Sequence, residues 1–182
     1  PLGFGFEVGI DHNLDFVLKS NSYSASVYTL KWQVMGANRQ DAKVGNKSLA
    51  VTIGHGKSGT TESESDTSIF NNSDDNLEAD ITQHLLEASI IFGVRTDDTT
   101  VVYTSLQTSK YDLSFKLFDE DTPELHHKSF SLSSWNYGLS VGAIKYLKRA
   151  NISIEASVQQ TDFTYNERLT YGFVTMALGV NW

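Results

Sequence analysis

Thr170-Tyr171-Gly172-Phe173-Val174-Thr175-Met176-Ala177-Leu178-Gly179-Val180-Asn181-Trp182 is the stretch whose reading decides the fold. Val174, Met176, Leu178, Val180 and Trp182 fall on one phase of a two-residue repeat, and Phe173, Thr175, Ala177, Gly179 and Asn181 on the other. Alternate side chains of a strand face opposite sides. One face of this strand is therefore an unbroken apolar wall, and the other is mostly small or polar. The wall must meet either a second sheet or lipid.

The same rhythm recurs along the chain. Leu2, Phe4, Phe6, Val8 and Ile10 alternate with Gly3, Gly5, Glu7 and Gly9, and this first strand is expected to pair with the last. Further apolar phases are Tyr28, Leu30, Trp32, Val34; Leu49, Val51, Ile53; Leu86, Ala88, Ile90, Phe92, Val94; Leu113, Phe115, Leu117; Trp135, Tyr137, Leu139, Val141, Ala143; and Ile152, Ile154, Ala156, Val158. Around Ile81 the phase changes, which predicts a bulge. The polar stretches 11–22, 56–76 and 119–127 read as long loops, 161–168 as an intermediate one, and 37–43, 95–99 and 148–151 as short turns. No segment keeps a helical period.

This pattern predicts an all-β fold: a closed, antiparallel, up-and-down transmembrane β-barrel of about eight strands, formed by residues 1–182 as a single domain. Closure matters because an open sheet edge in hydrocarbon leaves backbone groups unpaired. Alternation of short and long connections matches the asymmetry between periplasmic turns and extracellular loops. A soluble lipocalin-like ligand-binding barrel is the alternative architecture, with apolar residues inward. The abundance of Gly, Ser, Ala and Thr on the polar phase suits a crowded interior better than a water-facing surface.

A strand ending on an aromatic residue resembles the terminal strand of small bacterial outer-membrane β-barrels of the OmpA and OmpX kind. The resemblance implies a bacterial outer-membrane location, contact with outer-membrane lipids and lipopolysaccharide, and recognition of the C-terminal strand by the barrel assembly machinery. Val174, Met176, Leu178, Val180 and Trp182 are then lipid-facing. A monomer without a cofactor is expected, with an export signal already removed.

The 182 residues carry a net charge of -8 and no Cys. Without a basic stripe the chain is a poor nucleic-acid binder. Without Cys it has neither disulfides nor thiolate metal sites. The five His residues have no recognised metal-ligand spacing, and the acidic runs around Asp74 and Asp119 lack the calcium-loop pattern, so no metal site is predicted.

On the inner phase, Glu7, Lys31, Glu87 and Glu155 are expected to form an ionic network, because a charge inside a small barrel must be paired. Gly54-His55-Gly56-Lys57-Ser58-Gly59 has the spacing of a nucleotide loop, but no helix-forming segment follows it. His127-Lys128-Ser129 resembles the His-x-Ser pair of outer-membrane lipid A deacylases. Phe130 stands where that family has Asn, and Glu155 would have to act as the supporting carboxylate. The expected role is therefore a non-enzymatic envelope one: structural integrity, surface interaction or limited, porin-like passage of small solutes. A lipid A-modifying acyl hydrolase using His127, Ser129 and Glu155 is the enzymatic alternative.

Overall fold

The computed structural model describes residues 3–11, 13–21, 24–37, 41–64, 77–119, 128–148, 150–163 and 168–180. These form one sheet of nine antiparallel strands in sequence order. The strands are β1 (Gly3–Asp11), β2 (Leu14–Asn21), β3 (Ser24–Met35), β4 (Lys47–Glu64), β5 (Leu77–Arg95), β6 (Thr100–Asp119), β7 (Lys128–Tyr146), β8 (Ala150–Phe163) and β9 (Arg168–Val180). No helix occurs among the described residues.

The extra strand comes from the segment expected to be a loop at 11–22. The chain reverses between Asp11 and Leu14, which pair with each other, and β2 then runs back along β1. Leu14, Phe16 and Leu18 carry its apolar phase; Asp15, Lys19 and Asn21 make the segment look like a loop when composition is read instead of period.

Closure is the second correction. Among the described residues β1 pairs only with β2, and β9 only with β8. An odd number of antiparallel strands also makes β1 and β9 run in the same direction, so the expected antiparallel pairing of the end strands is topologically excluded.

Third, the phase change near Ile81 is not a bulge. β5 keeps an uninterrupted register from Leu77 to Arg95 against both neighbours. Register shifts occur instead at Gly9/Asp11, Lys19/Asn21 and Gln33/Met35.

The sheet curls. Glu7 of β1 and Glu155 of β8 line one cavity of about 490 Å³, which also receives Lys31, Tyr103, Ser105 and Gln107. These residues define a concave face. On the convex face stand Phe6, Leu30, Ile53, Ile90, Leu106, Leu139, Ile154 and Met176, all exposed.

What changes near Ile81 is the chemistry of the two faces. On β6 the convex side reads Val102, Thr104, Leu106, Thr108 and then Lys110, Asp112, Ser114, Lys116. The concave side of the same strand reads Tyr103, Ser105, Gln107, Ser109 and then Tyr111, Leu113, Phe115. β5 switches alongside it: Phe92, Ile90, Ala88 and Leu86 give way to His84, Thr82 and Asp80, while Ser89 and Glu87 give way to Leu85, Gln83 and Ile81. β7 does the same, from Leu139, Tyr137 and Trp135 to Ser133, Ser131 and Ser129 on the convex side, and from Gly138, Asn136 and Ser134 to Leu132 and Phe130 on the concave side, Phe130 being 59% exposed. No register shift accompanies the exchange in these three strands.

The connections sort by end. Those after β1, β3, β5 and β7 lie at one end of the sheet, and those after β2, β4, β6 and β8 at the other. Segments 65–76 and 120–127 belong to the second end and lie outside the described residues. The strands leading to them are long: β4 to β7 have 18, 19, 20 and 19 residues, against about 9–11 needed to cross a bilayer.

Candidate functional site: the ion-paired concave face

The concave face is built from short side chains with a few long ones laid across them. Thr29 and Ser140 are its most deeply buried side chains. Ser105 and Ser140 share a 2.6 Å hydrogen bond, and Thr52 and Ser89 one of 2.7 Å.

Two glycines make room for the long side chains. Glu87 leans from β5 over Gly54 of β4 and accepts the Thr29 hydroxyl of β3 at 2.8 Å. A Cβ at Gly54 would lie 2.6 Å from Thr29 Oγ1 and 2.7 Å from Glu87 Cγ. Tyr103 likewise crosses Gly142 of β7 and donates to Glu155 of β8 at 2.7 Å. There a Cβ would meet the ring at 2.6 Å and the backbone carbonyl of Ile154 at 2.8 Å.

The four residues expected to form one network fall into three groups. Lys31 joins Glu7 at 2.6 Å and also reaches Asp15 at 3.1 Å. Glu87 is instead held by Lys19, which spans from β2 at 3.0 Å. Glu155 takes Tyr103 and, at 3.0 Å, the hydroxyl of Ser157. Asp15 and Lys19 do not stand out in the sequence, because the polar residues of β2 give that segment the composition of a loop. Nor does Tyr103, because the lower half of β6 has no clear phase.

These ion pairs are only half-buried: the side chains are 33% exposed in Lys31, 50% in Glu7 and 54% in Lys19. Each is therefore modest in energy. Their effect is to bridge strands that do not neighbour one another, β1 to β3 and β2 to β5, and so to hold the curl.

Of the residues expected to face lipid, Val174, Met176 and Leu178 project from the convex face of β9, 66%, 75% and 75% exposed. Val180 ends β9 opposite Ala150. Its side chain and Trp182 lie outside the described residues.

Around the convex face the apolar band has a chemical border. Trp135 and Tyr137 stack with centroids 6.4 Å apart, and Lys110 opposite Trp135 pairs with Asp112 at 2.9 Å. The hydroxyl of Ser133, then Lys110, holds the Asp112 carboxyl below the ordinary carboxylate range. Further round, Arg168 of β9 meets Asp162 of β8 at 2.8 Å, beside Trp135 in the register. On β7 the apolar run from Trp135 to Ala143, between Ser133 and Lys145, covers about 27 Å along the strand. At a tilt of about 40° that is roughly 21 Å in height, near the ~25 Å apolar band of outer-membrane barrels.

Comparison of the chain with protein-family models, with curated proteins and with solved structures finds no match. The functional reading therefore rests on geometry.

The hydrolase constellation is not assembled. Ser129 pairs with Lys116 near the far end of β7, whereas Glu155 lies opposite Gly142, thirteen residues away along that strand. That separation is about 44 Å at the extended rise. His127 lies outside the described residues. The Gly54–Gly59 segment is strand, paired to β5 residue by residue, so its backbone does not form a phosphate-cradling loop. Among the described residues no group of three or more His, Asp or Glu is arranged to hold a metal ion.

Proposed function

We propose that this chain forms a curved, up-and-down antiparallel β wall in a bacterial outer membrane and has a non-enzymatic envelope role: integrity, surface contact or limited passage of small solutes. The observation that carries the reading is the exchange of face chemistry along β5, β6 and β7. A sheet in one solvent keeps its apolar face on one side throughout. Here apolar side chains face outward over a band of nearly membrane height, and beyond it the same strands turn polar side chains outward and apolar ones inward. Two solvents stacked along the strand, lipid and then water, require this arrangement.

The interior supports a narrow or blocked lumen. Glu87, Tyr103 and their partners lie across the concave face, so a general porin is disfavoured. Lipid and lipopolysaccharide are the expected contacts of the convex band. The protein is proposed to act as a monomer.

Refolding into phospholipid vesicles tests this. A membrane barrel resists carbonate extraction and migrates differently in detergent gels before and after boiling. A chain that stays soluble without detergent and shows a single migration overturns the proposal. Conductance in planar bilayers then separates an open pore from a structural wall.

A further inference from the structure

We infer that the concave face binds an uncharged single-chain amphiphile, with its polar head between the amides of Gln107 and Gln159 and its apolar tail against Leu85, Tyr111, Leu113, Phe115 and Leu132. This site goes beyond the envelope role proposed above and does not depend on which medium meets the convex face.

Register places the two parts side by side. On the concave face Ser89, Gln107, Gly138 and Gln159 form one row across β5 to β8, and Glu87, Ser109, Asn136 and Thr161 form the next. Directly beyond them, toward the long-loop end, Leu85 stands opposite Tyr111, Leu113 opposite Leu132, and Phe115 opposite Phe130. From Tyr111 to Phe115 this apolar wall runs for about 14 Å along the strand. Its side chains are half-buried, apart from the exposed Phe130.

The polar rows line a cavity of about 140 Å³ on which Lys19, Glu87, Gln107, Asn136 and Gln159 converge. Lys19 and Glu87, paired at 3.0 Å, neutralise each other there. The three amides differ in what they already hold. Asn136 donates to Ser109 at 3.2 Å and accepts from Thr161 at 2.5 Å. Gln159 accepts from the Tyr171 hydroxyl at 2.9 Å, and its amino group has no partner among the described residues. Gln107 has no partner there for either end of its amide. Gly138 stands between the two glutamines in their row, and Gln107 lies flat over it: a Cβ on Gly138 would be 2.7 Å from Gln107 Nε2. Water can satisfy these amides, but the apolar rows beside them gain only from an apolar occupant. A hydroxyl or primary amide head supplies the donor and acceptor that the glutamines lack, whereas a carboxylate or ammonium head would enter a wall whose charges are already paired.

The probe is decanamide carrying a photoreactive diazirine at the end of its tail, added to the chain refolded in phospholipid vesicles, with adducts located by peptide mass spectrometry. Labelling is expected on Leu113, Phe115 and Leu132 and should fall away as plain decanamide is added in excess. Decanoate and decane, at the same mole fraction in the membrane, should compete about tenfold less well or worse. Gln107→Met keeps the length of the side chain and removes its hydrogen bonds, and should raise the decanamide needed for half-competition about tenfold. Labelling confined to convex residues such as Leu106 and Leu139, labelling that excess decanamide does not reduce, or equal competition by all three compounds overturns the site, as does unchanged competition in refolded Gln107→Met. If that variant does not refold, the competition series on the parent chain decides alone. Carbonate extraction of the same vesicles is scored separately: release of the chain removes the membrane reading and leaves the labelling result standing, whereas firm insertion without saturable labelling removes only this site.

Discussion

Gly54→Ala is the sharpest probe of the concave face, because it adds one methyl group where Glu87 lies. The new Cβ would stand 2.6 Å from Thr29 Oγ1, 2.7 Å from Glu87 Cγ and 2.8 Å from Glu87 Oε1. The carboxylate must swing away, giving up the Thr29 hydroxyl and the Lys19 ammonium. A hydrogen bond to a charged acceptor contributes about 1.5–3 kcal/mol. The Lys19 pair, with Lys19 54% exposed, adds about 0–1 kcal/mol. Replacing Gly by Ala returns about 0.4–1 kcal/mol through the unfolded chain. The net expectation is a loss of about 1–3 kcal/mol, measured as urea unfolding in detergent micelles. Combining Gly54→Ala with Glu87→Ala gives the Cβ its space, so the double variant should be more stable than the sum of the singles predicts. Additive effects, or a Gly54→Ala variant as stable as the parent, would refute the account of Glu87 lying across Gly54.

Other expectations follow from the same geometry. Leu106→Arg should cost about 2–4 kcal/mol in membranes, while Ser114→Arg, on the same face of the same strand beyond the band, should be near neutral; equal effects would remove the two-solvent argument. Lys31→Met strands Glu7 and Asp15, both partly exposed, and should lower the unfolding free energy by about 1–2 kcal/mol, with Glu7→Gln restoring part of it. Asp97, in the turn between β5 and β6, is pulled down to about 2 from 3.8 by the Thr99 backbone N–H, then the Thr99 hydroxyl and Thr100. Because the folded value is the lower one, its stabilisation is present above about pH 4 and is lost as pH falls toward 2. Asp97→Ala should therefore unfold more easily than the parent at pH 7 and alike below pH about 2, as read by denaturant midpoints across that range.

Much of the sheet is written in the chain as simple alternation. The phases of Tyr28 to Val34, Leu86 to Val94, Trp135 to Ala143 and Ile152 to Val158 each place their residues on the face they occupy, because side-chain direction in a strand is a local property. β2 was legible in principle through Leu14, Phe16 and Leu18, but its polar residues obscured it. The exchange near Ile81 shows in the sequence as a phase change, but a bulge and an exchange of face chemistry leave the same mark on an alternating pattern. Partnership was the least accessible part. Nothing local to Glu87 points to Lys19, 68 positions away, or to the glycine that lets it lie flat. Such choices depend on register and curvature, which several strands determine together.

The unequal strand lengths carry their own consequence. β4 to β7 outrun their neighbours, and over β5 to β7 the projecting part is a blade three strands wide, wettable on its convex side and greasy on its concave one. Under the membrane reading proposed above, antibodies or proteases acting on intact cells should reach that blade before the rest of the described sheet, and its two sides should attract different company.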